Sequence, residues 1–538
     1  MRSVHAIIKY GLPVLAVLFS GALSVHADRY VATNGAASSG YASWDQAGSN
    51  IQTVLNAATP AETVWVSNGT YVINNQILVT NRSAALRSAN GYTNTIVAMN
   101  WPAYSNRCFV VSNAILDGFT VSNGYFRGIN SYSGGGGAYI IKTGTVRNCY
   151  FVNNICSNTG EYAGGGGAWV SNSLISNCIF YQNQSLRITD TNRAGFGGGI
   201  YCFKDSTIVD STIVSNTAAN SGGGICATDI VGTIVVSNCN IRYNAAFGGG
   251  GAYGAFLLFN NCVISNNTAT SAGGGGITIV SPGGKVRNSI IAKNNSYTNA
   301  GGGAYIFLTG SLSNCVIFGN TNSGGGAGVY VFGGAGSTAV VDACRISNNL
   351  CRDATGGAGI AITNNGQIRN CLIANNTNMS PNGNGGGVLL ANAGSNTNTA
   401  GLLNCTVANN YSTNEGGGIA ALGPSNYIAN CIFFTNASFS NNFPDVYNAD
   451  GNSNNYWYCC ANVPSAPLPA GQGNISSNPA LAATWRLSGN SPCINAGINQ
   501  TWMTNAVDLD GKARIRYGTV DMGAYERVNE ATSYRFLQ

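Results

Sequence analysis

Charged side chains are scarce in this sequence, so the places where they gather are the first candidates for chemistry. Only 8% of the 538 residues are Asp, Glu, Lys or Arg. Asp205 and Asp229 hold nearly equivalent positions in successive sequence repeats. Two such carboxylates could act as the acid and base of a glycoside hydrolase, or hold a calcium ion for a lyase that uses Lys or Arg. Solvated turn residues are the alternative. The whole cluster consists of Arg187, Asp190, Arg193, Lys204, Asp205, Asp210 and Asp229.

A second group of acidic residues lies near the C-terminus, in the segments DLDG and VDMGAYE. Carboxylate oxygens are the ligands that calcium prefers, so a calcium site is one hypothesis for these residues. A structural role in the last segment of the chain is the other hypothesis, and we favour it. No other cofactor is expected. The four residues are Asp508, Asp510, Asp521 and Glu526.

Aromatic side chains are the third candidate for a functional site. A strand with an apolar, variable, apolar pattern follows each glycine run, and its variable position points away from the core. Exposed rings along a sheet would offer stacking surfaces to the C–H faces of sugars, and we treat them as ligand-binding candidates. Packing of neighbouring rings up the sheet is the alternative. The residues at this position are Tyr139, Trp169, Tyr201, Tyr253, Tyr305 and Tyr330.

The first 27 residues have the features of a signal peptide. Arg2 and Lys9 make the start of the segment basic, and the apolar stretch LPVLAVLFSGAL follows. Small residues, Val25 and Ala27, stand at the two positions that a signal peptidase recognises. We expect cleavage after Ala27, because the apolar stretch is shorter than the roughly 20 residues that span a bilayer. No later segment is long and apolar enough for a transmembrane helix, so we expect a secreted or cell-surface protein.

Removal of this segment also removes His5 and His26, the only two histidines. A mature chain without histidine cannot use Ser-His-Asp or Cys-His catalysis or histidine-ligated metals. Its formal charge falls from +6 to +4. This diffuse, weak basicity does not indicate a nucleic-acid partner.

The elements that must position these residues come from an internal repeat of about 23 to 34 residues. Each copy has Cys or Ser, an apolar residue two positions later and Asn five positions later. The asparagines form one column, which the segment DGFTVSN extends to Asn123. The repeated asparagines are Asn154, Asn183, Asn216, Asn244, Asn267, Asn294, Asn320, Asn349, Asn376, Asn410 and Asn436.

Short apolar strands in repeats of this length can pair in parallel only by coiling, so that each turn lies on the previous one. We therefore predict an all-β fold, a single-stranded right-handed parallel β-helix of about twelve turns. Equivalent residues stack at about 4.8 Å, so the asparagines are expected to form a ladder of amide hydrogen bonds. Glycine runs at the bends allow close backbone approach.

Nine of the 17 cysteines share one column with Ser211 and Ser289, so this column favours small side chains. We expect buried thiols there, because neighbouring side chains in a parallel stack are somewhat too far apart for a disulfide. Cys459, Cys460 and Cys493 are expected in a loop setting, and their disulfide state is left open. The nine are Cys149, Cys178, Cys239, Cys262, Cys315, Cys344, Cys371, Cys405 and Cys431.

The repeats resemble those of bacterial polymorphic outer membrane proteins, which pair F-x-x-N with a G-G-A/I/V run. Phe151 with Asn154 and Phe180 with Asn183 match the first motif, and the glycines before Ala138 match the second. The likeness covers roughly residues 118–436. It implies a surface-displayed β-helix, often an adhesin, carried by a C-terminal membrane barrel. Too little follows the repeats here for such a barrel, so barrel-mediated export is not expected.

Both ends resemble right-handed β-helix proteins with a choice-of-anchor segment from Gram-negative environmental bacteria. YVATNGAASSG, IQTVLNAA and TVWVSNGTY are similar to that group's first strand, capping helix and first turn, and SPCINAG and VDLDGKARIRYGTVDMGAYE to its C-terminal segment. The resemblance implies an outer-surface location in a Gram-negative bacterium. The group's sorting tail is not visible, so free secretion or retention by a partner is expected.

These observations predict four segments: a signal peptide (1–27), an N-terminal cap with the first turns (28–106), the β-helix repeats (107–445) and an irregular C-terminal cap (446–538). The leading hypothesis is a monomeric, non-enzymatic protein that contacts an extracellular glycan or a host or neighbouring cell surface. A polysaccharide lyase or glycoside hydrolase, with Lys204, Asp205, Asp210 and Asp229 as catalytic candidates, is the alternative. A purely structural extracellular spacer is the third.

Overall fold

The computed structural model describes residues 28–60, 62–80, 85–128, 133–158, 163–187, 194–228, 232–280, 283–297, 301–334, 336, 339–352, 356–391, 400–423, 426–439, 444–449, 455–462 and 468–527. The expected signal peptide lies outside these residues, as do Asp190, Arg193 and Asp229. No described helix is long and apolar enough to cross a membrane.

The chain coils into a parallel β-helix with four stacked sheets, which we number in the order in which a full turn visits them. Sheets 1, 2, 3 and 4 contain 16, 15, 12 and 14 strands, and each strand pairs with the equivalent strands of the turns before and after it. Pairing is parallel, as between Tyr150–Val152 and Ile179–Tyr181. The 12 strands of sheet 3 set the number of complete turns, so the predicted fold of about twelve turns is confirmed.

The strands follow in order along the coil axis. Sheet 1 consists of Arg29–Val31, Thr63–Val66, Ala85–Ser88, Ile115–Asp117, Thr145–Arg147, Leu174–Ser176, Thr207–Val209, Ile234–Ser237, Leu257–Asn260, Lys285–Arg287, Ser311–Ser313, Val340–Asp342, Gly366–Arg369, Ala400–Leu403, Tyr427–Ala429 and Asn455–Trp457. Sheet 2 consists of Gly69–Ile73, Thr95–Met99, Thr120–Ser122, Tyr150–Val152, Ile179–Tyr181, Thr212–Val214, Asn240–Arg242, Val263–Ser265, Ile290–Ala292, Val316–Phe318, Arg345–Ser347, Leu372–Ala374, Thr406–Ala408, Ile432–Phe434 and Cys460–Ala461.

Sheet 3 consists of Tyr125–Phe126, Ile155–Asn158, Gln184–Arg187, Thr217–Ser221, Ala245–Gly248, Thr268–Ala272, Asn295–Ser296, Thr321–Asn322, Leu350–Cys351, Thr377–Asn378, Tyr411–Ser412 and Ala437–Ser438. Sheet 4 consists of Ile77–Val79, Phe109–Ser112, Ala138–Ile141, Ala168–Ser171, Ile200–Lys204, Ile225–Ala227, Ala252–Gly254, Ile277–Ile279, Ala304–Phe307, Val329–Phe332, Ile360–Thr363, Val388–Ala391, Ile419–Ala421 and Val446–Asn448. A further two-stranded pair joins Ala163–Gly164 to Ala194–Phe196.

The predicted asparagine ladder runs along the corner between sheets 2 and 3. Each Nδ2 donates to the Oδ1 of the next turn, for example from Asn183 to Asn216 at 2.9 Å, and the last, from Asn436, donates to Asp445 at 2.7 Å. Burial raises the pKa of Asp445 to about 6. All eleven asparagines are at most 7% exposed, so the ladder satisfies groups that water does not reach.

Asn123 is not a member of this ladder, contrary to expectation. Phe119 occupies the cysteine column, since Thr120 pairs with Tyr150, and this places Gly124 at the ladder position. The Gly124 N–H donates to Asn154 Oδ1 at 2.9 Å and starts the ladder. Asn123 takes the preceding left-handed turn position, with φ 58.

The cysteine column is buried and carries free thiols, as predicted. Its thiols donate to backbone carbonyls of their own and the previous turn, as Cys371 does to Arg369 at 3.1 Å and Val341 at 3.6 Å. Burial raises the pKa of the Cys371 thiol well above its usual value. Cys459 continues this column and Cys460 begins the last strand of sheet 2, so neither lies in the expected loop. Cys460 and Cys493 are free and pack together in a cluster with Met522.

Glycine is required at residue 166, where sheet 3 bends into sheet 4. A Cβ on Gly166 would lie 2.4 Å from the carbonyl oxygens of both Gln184 and Gly198, the latter being the equivalent glycine of the next turn. The bend at Gly166 is therefore a stack of backbone on backbone, and further along the coil Ala327 and Ala358 take the equivalent position.

The two ends of the coil are covered differently. The predicted capping helix spans Ile51–Ala57, accepts an N-terminal hydrogen bond from Thr53 N at Asn50, and buries Ile51, Val54 and Leu55. Short 3-10 helices lie at Trp44–Gln46 and Thr501–Met503. The irregular C-terminal segment covers the core with Leu468 and then runs back along the outer face of sheet 2.

Three contacts fix this return path. The N–H groups of Ala524 and Gly523 donate to Thr406 Oγ1 at 3.0 Å and to the Asn430 carbonyl at 2.7 Å, and Arg345 donates to the Leu509 carbonyl at 2.9 Å. The segment therefore serves as a strap across several turns as well as a cap, and the coil itself continues to Ala461.

Candidate functional site

The six predicted aromatic residues form one outward-facing column on sheet 4. The register pairs Tyr139 with Trp169, Trp169 with Tyr201, and Tyr305 with Tyr330. Cys226 and Thr278 fill the two intervening turns around Tyr253. The sequence pattern thus placed all six side chains on one face of one sheet.

The N-terminal part of this column is closed, which corrects the expected exposure of two members. Trp169 is 3% exposed and Tyr201 is 0% exposed. They form a small hydrophobic cluster with Phe196 and Cys226, separate from the main core. Phe203 stacks on Trp169 with ring centroids 5.4 Å apart. We call this cluster the closed end; its rings cannot offer a free face to a ligand.

The length of the connection from sheet 3 to sheet 4 explains the closure. Before Tyr201 this connection includes the additional strand Ala194–Phe196, whose Phe196 ring lies 6.3 Å from that of Tyr201. Before Tyr330 the chain passes from Thr321–Asn322 directly through a glycine bend into Val329–Phe332. A long connection carries its own apolar residue over the column, and a short one leaves the column uncovered.

Further along the coil the column opens into a cleft of about 680 Å³. We call it the open end. Its floor holds two pairs of parallel rings on adjacent turns: Tyr305 on Tyr330, with centroids 5.5 Å apart and 11° between planes, and Phe307 on Phe332, at 5.4 Å and 9°. The lining residues are Asn220, Ser221, Phe247, Gly248, Tyr253, Ala272, Gly273, Thr278, Val280, Tyr305, Phe307, Tyr330 and Phe332.

Phe247, Phe307 and Phe332 were missed by sequence reasoning. Phe307 and Phe332 stand two residues after the predicted tyrosines, so the alternation of a strand places them on the same outer face. That signal was present in the sequence. Phe247 is 49% exposed on a strand of sheet 3, and nothing in the repeat pattern marks it as a wall of the cleft.

The cleft is uncharged, since none of its lining residues carries a formal charge. Burial raises the pKa of Tyr305 to about 12, and the neighbouring Tyr330 and Tyr253 phenols add to the effect. The Tyr330 hydroxyl lies 3.2 Å from Thr363 Oγ1, which fixes its position. Flat rings with fixed hydroxyls and a polar rim suit a neutral, hydroxyl-bearing ligand better than an ion.

The charged cluster does not form part of this cleft. Asp205 lies between sheets 4 and 1 and accepts from Thr233 N at 2.9 Å, whereas Asp210 lies at the next corner, beyond strand Thr207–Val209. Asp210 accepts from Asn238 at 3.1 Å and so belongs to a ladder of turn residues. The proposed pairing of Asp205 with Asp229 remains a prediction, because Asp229 is outside the described residues.

The other members of the cluster take separate positions. Lys204 ends its strand of sheet 4 at a bulge opposite Ser171, and Arg187 is exposed at the end of a strand of sheet 3. The described residues therefore bring Lys204, Asp205 and Asp210 to successive positions of one turn but not to one cavity.

Three of the four C-terminal carboxylates surround the buried Arg514 and hold the strap together. Asp508, Asp521 and Glu526 are 2% exposed, and Arg514, at 0%, pairs with Glu526 at 3.3 Å. Burial raises the pKa of Glu526 to about 8. Asp510 instead pairs with Arg486 at 2.6 Å.

Backbone donors occupy the buried carboxylates. Asp508 accepts from Asp510 N at 2.9 Å and Glu526 N at 2.7 Å, and Asp521 accepts from Arg527 N at 2.7 Å. Within the described ranges, no three Asp, Glu, Cys or His side chains are arranged to hold a metal ion. Backbone N–H groups and Arg514 thus engage these carboxylates, and the calcium hypothesis remains a prediction.

Comparison with known proteins agrees with the fold. A family model described as a right-handed β-helix region matches residues 182–341 and 233–407. No curated protein matches the chain in sequence. The described coil and this match together establish a right-handed parallel β-helix.

Similar solved structures include three carbohydrate-related proteins. The catalytic unit of a thermostable GH87 alpha-1,3-glucanase from Streptomyces thermodiastaticus strain HF3-3 is 15% identical, with a TM-score of 0.32, over 75% of this chain and 64% of that one. Pectate lyase Pel9A is 14% identical over 93% and 96% of the two chains, with a TM-score of 0.23. The A-module of Azotobacter vinelandii mannuronan C-5 epimerase AlgE6 is 12% identical over 80% and 94%, with a TM-score of 0.30. The chain spans less than two thirds of the glucanase, and these likenesses carry no argument about activity.

Proposed function

We propose that this protein is a secreted or cell-surface β-helix that binds an extended glycan at the open end of sheet 4 without transforming it. One observation carries the proposal: two pairs of nearly parallel rings line an uncharged cleft of about 680 Å³. Aromatic faces pack on the C–H patches of sugar rings, and the hydroxyls and amides at the rim can hydrogen-bond sugar hydroxyls.

The shape of the cleft supports a polymer rather than a small molecule. Successive turns place Tyr305 beside Tyr330 and Phe307 beside Phe332, so the stacking surface extends along the coil axis. The signal-like residues 1–27 support an extracellular location, where such a polymer would be met. We propose that the protein acts as a monomer, because one chain supplies every lining residue.

The enzymatic alternative requires an acid and a base close to the bound sugar. Among the described residues no carboxylate lines the cleft, and Asp205 and Asp210 lie at different corners. This arrangement supports binding over turnover. The enzymatic alternative would require Asp205 and Asp229 to act together as the acid and the base.

Affinity electrophoresis of the full chain in gels containing hydroxyethylcellulose or polygalacturonate tests the proposal. We expect retention by at least one polymer and a loss of about tenfold in affinity for the double variant Tyr305→Ala/Tyr330→Ala, since stacking on one ring contributes roughly 0.5–1.5 kcal/mol. Tyr243→Ala is the matched control, because Tyr243 is 58% exposed and lies outside the cleft.

Retention that is unchanged in the double variant would exclude the cleft as the binding site. New reducing ends or unsaturated products, lost in Asp205→Ala, would establish the enzymatic alternative. Absence of retention by any polysaccharide would leave a structural spacer as the better description.

A further inference from the structure

The outer face of sheet 2 carries a second aromatic surface, separate from the column on sheet 4. An open groove of about 430 Å³ lies on this face, between the turns of Tyr150 and Arg242. The described residues that line it belong neither to the strap nor to the open end. The lining residues are Tyr92, Tyr150, Ile179, Tyr181, Thr212, Val214 and Arg242.

Strand alternation arranges most of these side chains in two outward-facing rows. Ile241 faces the core, so the residues on either side of it face outward, and the strands of the preceding turns follow the same pattern. Three steps of about 4.8 Å separate the turn of Tyr150 from that of Arg242, so the groove extends for about 14 Å along the coil axis. In turn order, one row holds Tyr150, Ile179 and Thr212, and the other holds Tyr181, Val214 and Arg242.

Three tyrosine rings form the N-terminal part of the groove. Tyr150 and Tyr181 stack with centroids 6.4 Å apart and 20° between planes, whereas the Tyr92 ring is tilted by 55° to that of Tyr150 at 5.9 Å. The Tyr92 carbonyl accepts from Thr120 Oγ1 at 2.8 Å, which holds Tyr92 over the sheet. Burial raises the pKa of Tyr150, and the phenols of Tyr181 and Tyr92 raise it further. The three rings thus form one continuous surface with their hydroxyls close enough to interact.

Arg242 carries the only formal charge among the lining residues and lies at the C-terminal end of the groove. Its side chain is exposed, and none of the described carboxylates forms an ion pair with it. A guanidinium presents a planar fork of N–H donors that fits a carboxylate. The groove therefore offers ring faces to a sugar and a cation to an acidic substituent on it.

We propose that this groove binds a segment of an acidic polysaccharide, with Tyr150 and Tyr181 against the sugar rings and Arg242 on a sugar carboxylate. The ligand class differs from that of the open end, whose cleft is uncharged. The inference goes beyond the proposed function, since it depends on other residues of another sheet. A chain with both sites is bivalent and links an acidic polymer on sheet 2 to a neutral polymer on sheet 4.

Oligogalacturonate and its fully methyl-esterified form differ only at the carboxyl group, so the pair isolates the charge. Binding is measured by calorimetry on the full chain with Tyr305→Ala/Tyr330→Ala, which removes two rings of the open end. We expect the acid form to bind more tightly than the ester. Tyr150→Ala/Tyr181→Ala should weaken binding of both forms by about tenfold. Arg242→Gln should weaken the acid form by about threefold to fivefold and leave the ester unchanged.

Tyr297→Ala and Arg287→Gln are the matched controls, because both side chains are exposed and neither lines the groove. Salt screens an exposed ion pair, so the preference for the acid form should disappear near about 1 M NaCl. Melting temperatures establish that each variant folds. If the double variant of Tyr150 and Tyr181 does not fold, the comparison of Arg242→Gln with Arg287→Gln decides the inference, because Arg242 is exposed and its replacement leaves the core intact.

Equal losses in Arg242→Gln and Arg287→Gln, or equal binding of the acid and ester forms, would overturn the inference. Binding that is unchanged in Tyr150→Ala/Tyr181→Ala would overturn it as well. A dimer that this double variant converts to monomers, measured by light scattering, would assign the groove to an interface between copies of the chain and would reject the glycan site.

The two glycan sites fail separately in these measurements. Hydroxyethylcellulose carries no carboxylate, so its retention reports on the open end. Oligogalacturonate binding to the chain with Tyr305→Ala/Tyr330→Ala reports on sheet 2. Absence of that binding, with retention by hydroxyethylcellulose intact in the unmodified chain, would reject the groove and keep the proposed function. Binding of oligogalacturonate without any retention by hydroxyethylcellulose would support the groove.

Discussion

The closed and open ends of sheet 4 have the same register and the same type of side chain, yet they differ in exposure. Tyr201 and Trp169 pack beneath Phe196 in a cluster of their own, while Tyr305 and Tyr330 line a cleft. The ring positions pair in the same register, but the closed end also has a bulge that adds Phe203, whose ring stacks on Trp169. The connection between sheets 3 and 4 adds a second difference, because it brings an apolar cover over one end and a bare glycine bend to the other.

The comparison teaches that a β-helix separates two tasks. Buried columns, which recur in every turn, specify the coil, and the connections at one corner specify which part of the outer face is accessible. Residues that look equivalent in a repeat can therefore be core in one turn and ligand-binding in another.

The largest expected contrast comes from removing one ring at each end. Trp169→Ala should lower the free energy of unfolding by about 3–5 kcal/mol, since it empties a packed cluster, whereas Tyr330→Ala should cost about 1 kcal/mol or less. Chemical denaturation followed by circular dichroism measures both. Equal losses at the two ends would contradict the distinction between them.

A second test asks whether the scaffold beneath the two ends is the same. Asn183→Ala and Asn320→Ala each remove a buried amide that bonds to the turns on both sides, below the closed and open ends respectively. Each should lower the free energy of unfolding by about 3 kcal/mol, because several partners lose their bonds at once. A large difference between the two values would mean that the coil, and not only its connections, distinguishes the ends.

Phe196→Ala should expose part of the closed end, so that its rings become accessible to solvent as those of the open end are. We expect a loss of about 2 kcal/mol, less than for Trp169→Ala, because Phe196 covers the cluster from one side only. Tyr201 should then become accessible to tetranitromethane, with the 58% exposed Tyr243 as the internal reference that is modified in both proteins. Protection of Tyr201 that persists in the variant would show that Phe196 is not the cover.

The smallest expected effect is on the pH dependence of the open end. The Tyr305 pKa of about 12 lies above the ordinary value near 10, so the fold favours the neutral phenol. The resulting contribution to stability is complete below pH 10 and is lost as the pH rises through 12. Absorbance titration at 295 nm should show one phenol fewer titrating near pH 12 in Tyr305→Phe. An unchanged titration curve would contradict this assignment.

Much of the fold was predictable because its determinants recur at fixed spacing. The repeated Cys, Ile and Asn positions were sufficient to predict the coil, its core face and the asparagine ladder. One error at Asn123 arose where Phe119 replaces cysteine and the repeat offers no anchor for the register.

The site was less predictable, since exposure is not a property of the repeat. The column position of Trp169 and Tyr201 was correct and their expected exposure was wrong, because Phe196 belongs to a connection without a repeated pattern. The strand alternation could have identified Phe307 and Phe332.

The asparagine ladder gives the coil an electrical direction. Every amide turns its carbonyl towards the N-terminal end and its N–H₂ group towards the C-terminal end, from Asn154 through Asn436. Aligned dipoles of this kind add up to a partial positive pole at the last member, as in a helix. The carboxylate of Asp445 accepts the hydrogen bond from Asn436 at this positive end. Because an ionised carboxylate has no N–H group, it cannot donate to a further turn as an asparagine would. A single carboxylate thus terminates the ladder, and an asparagine in its place would present an amide N–H₂ group with no acceptor in a following turn.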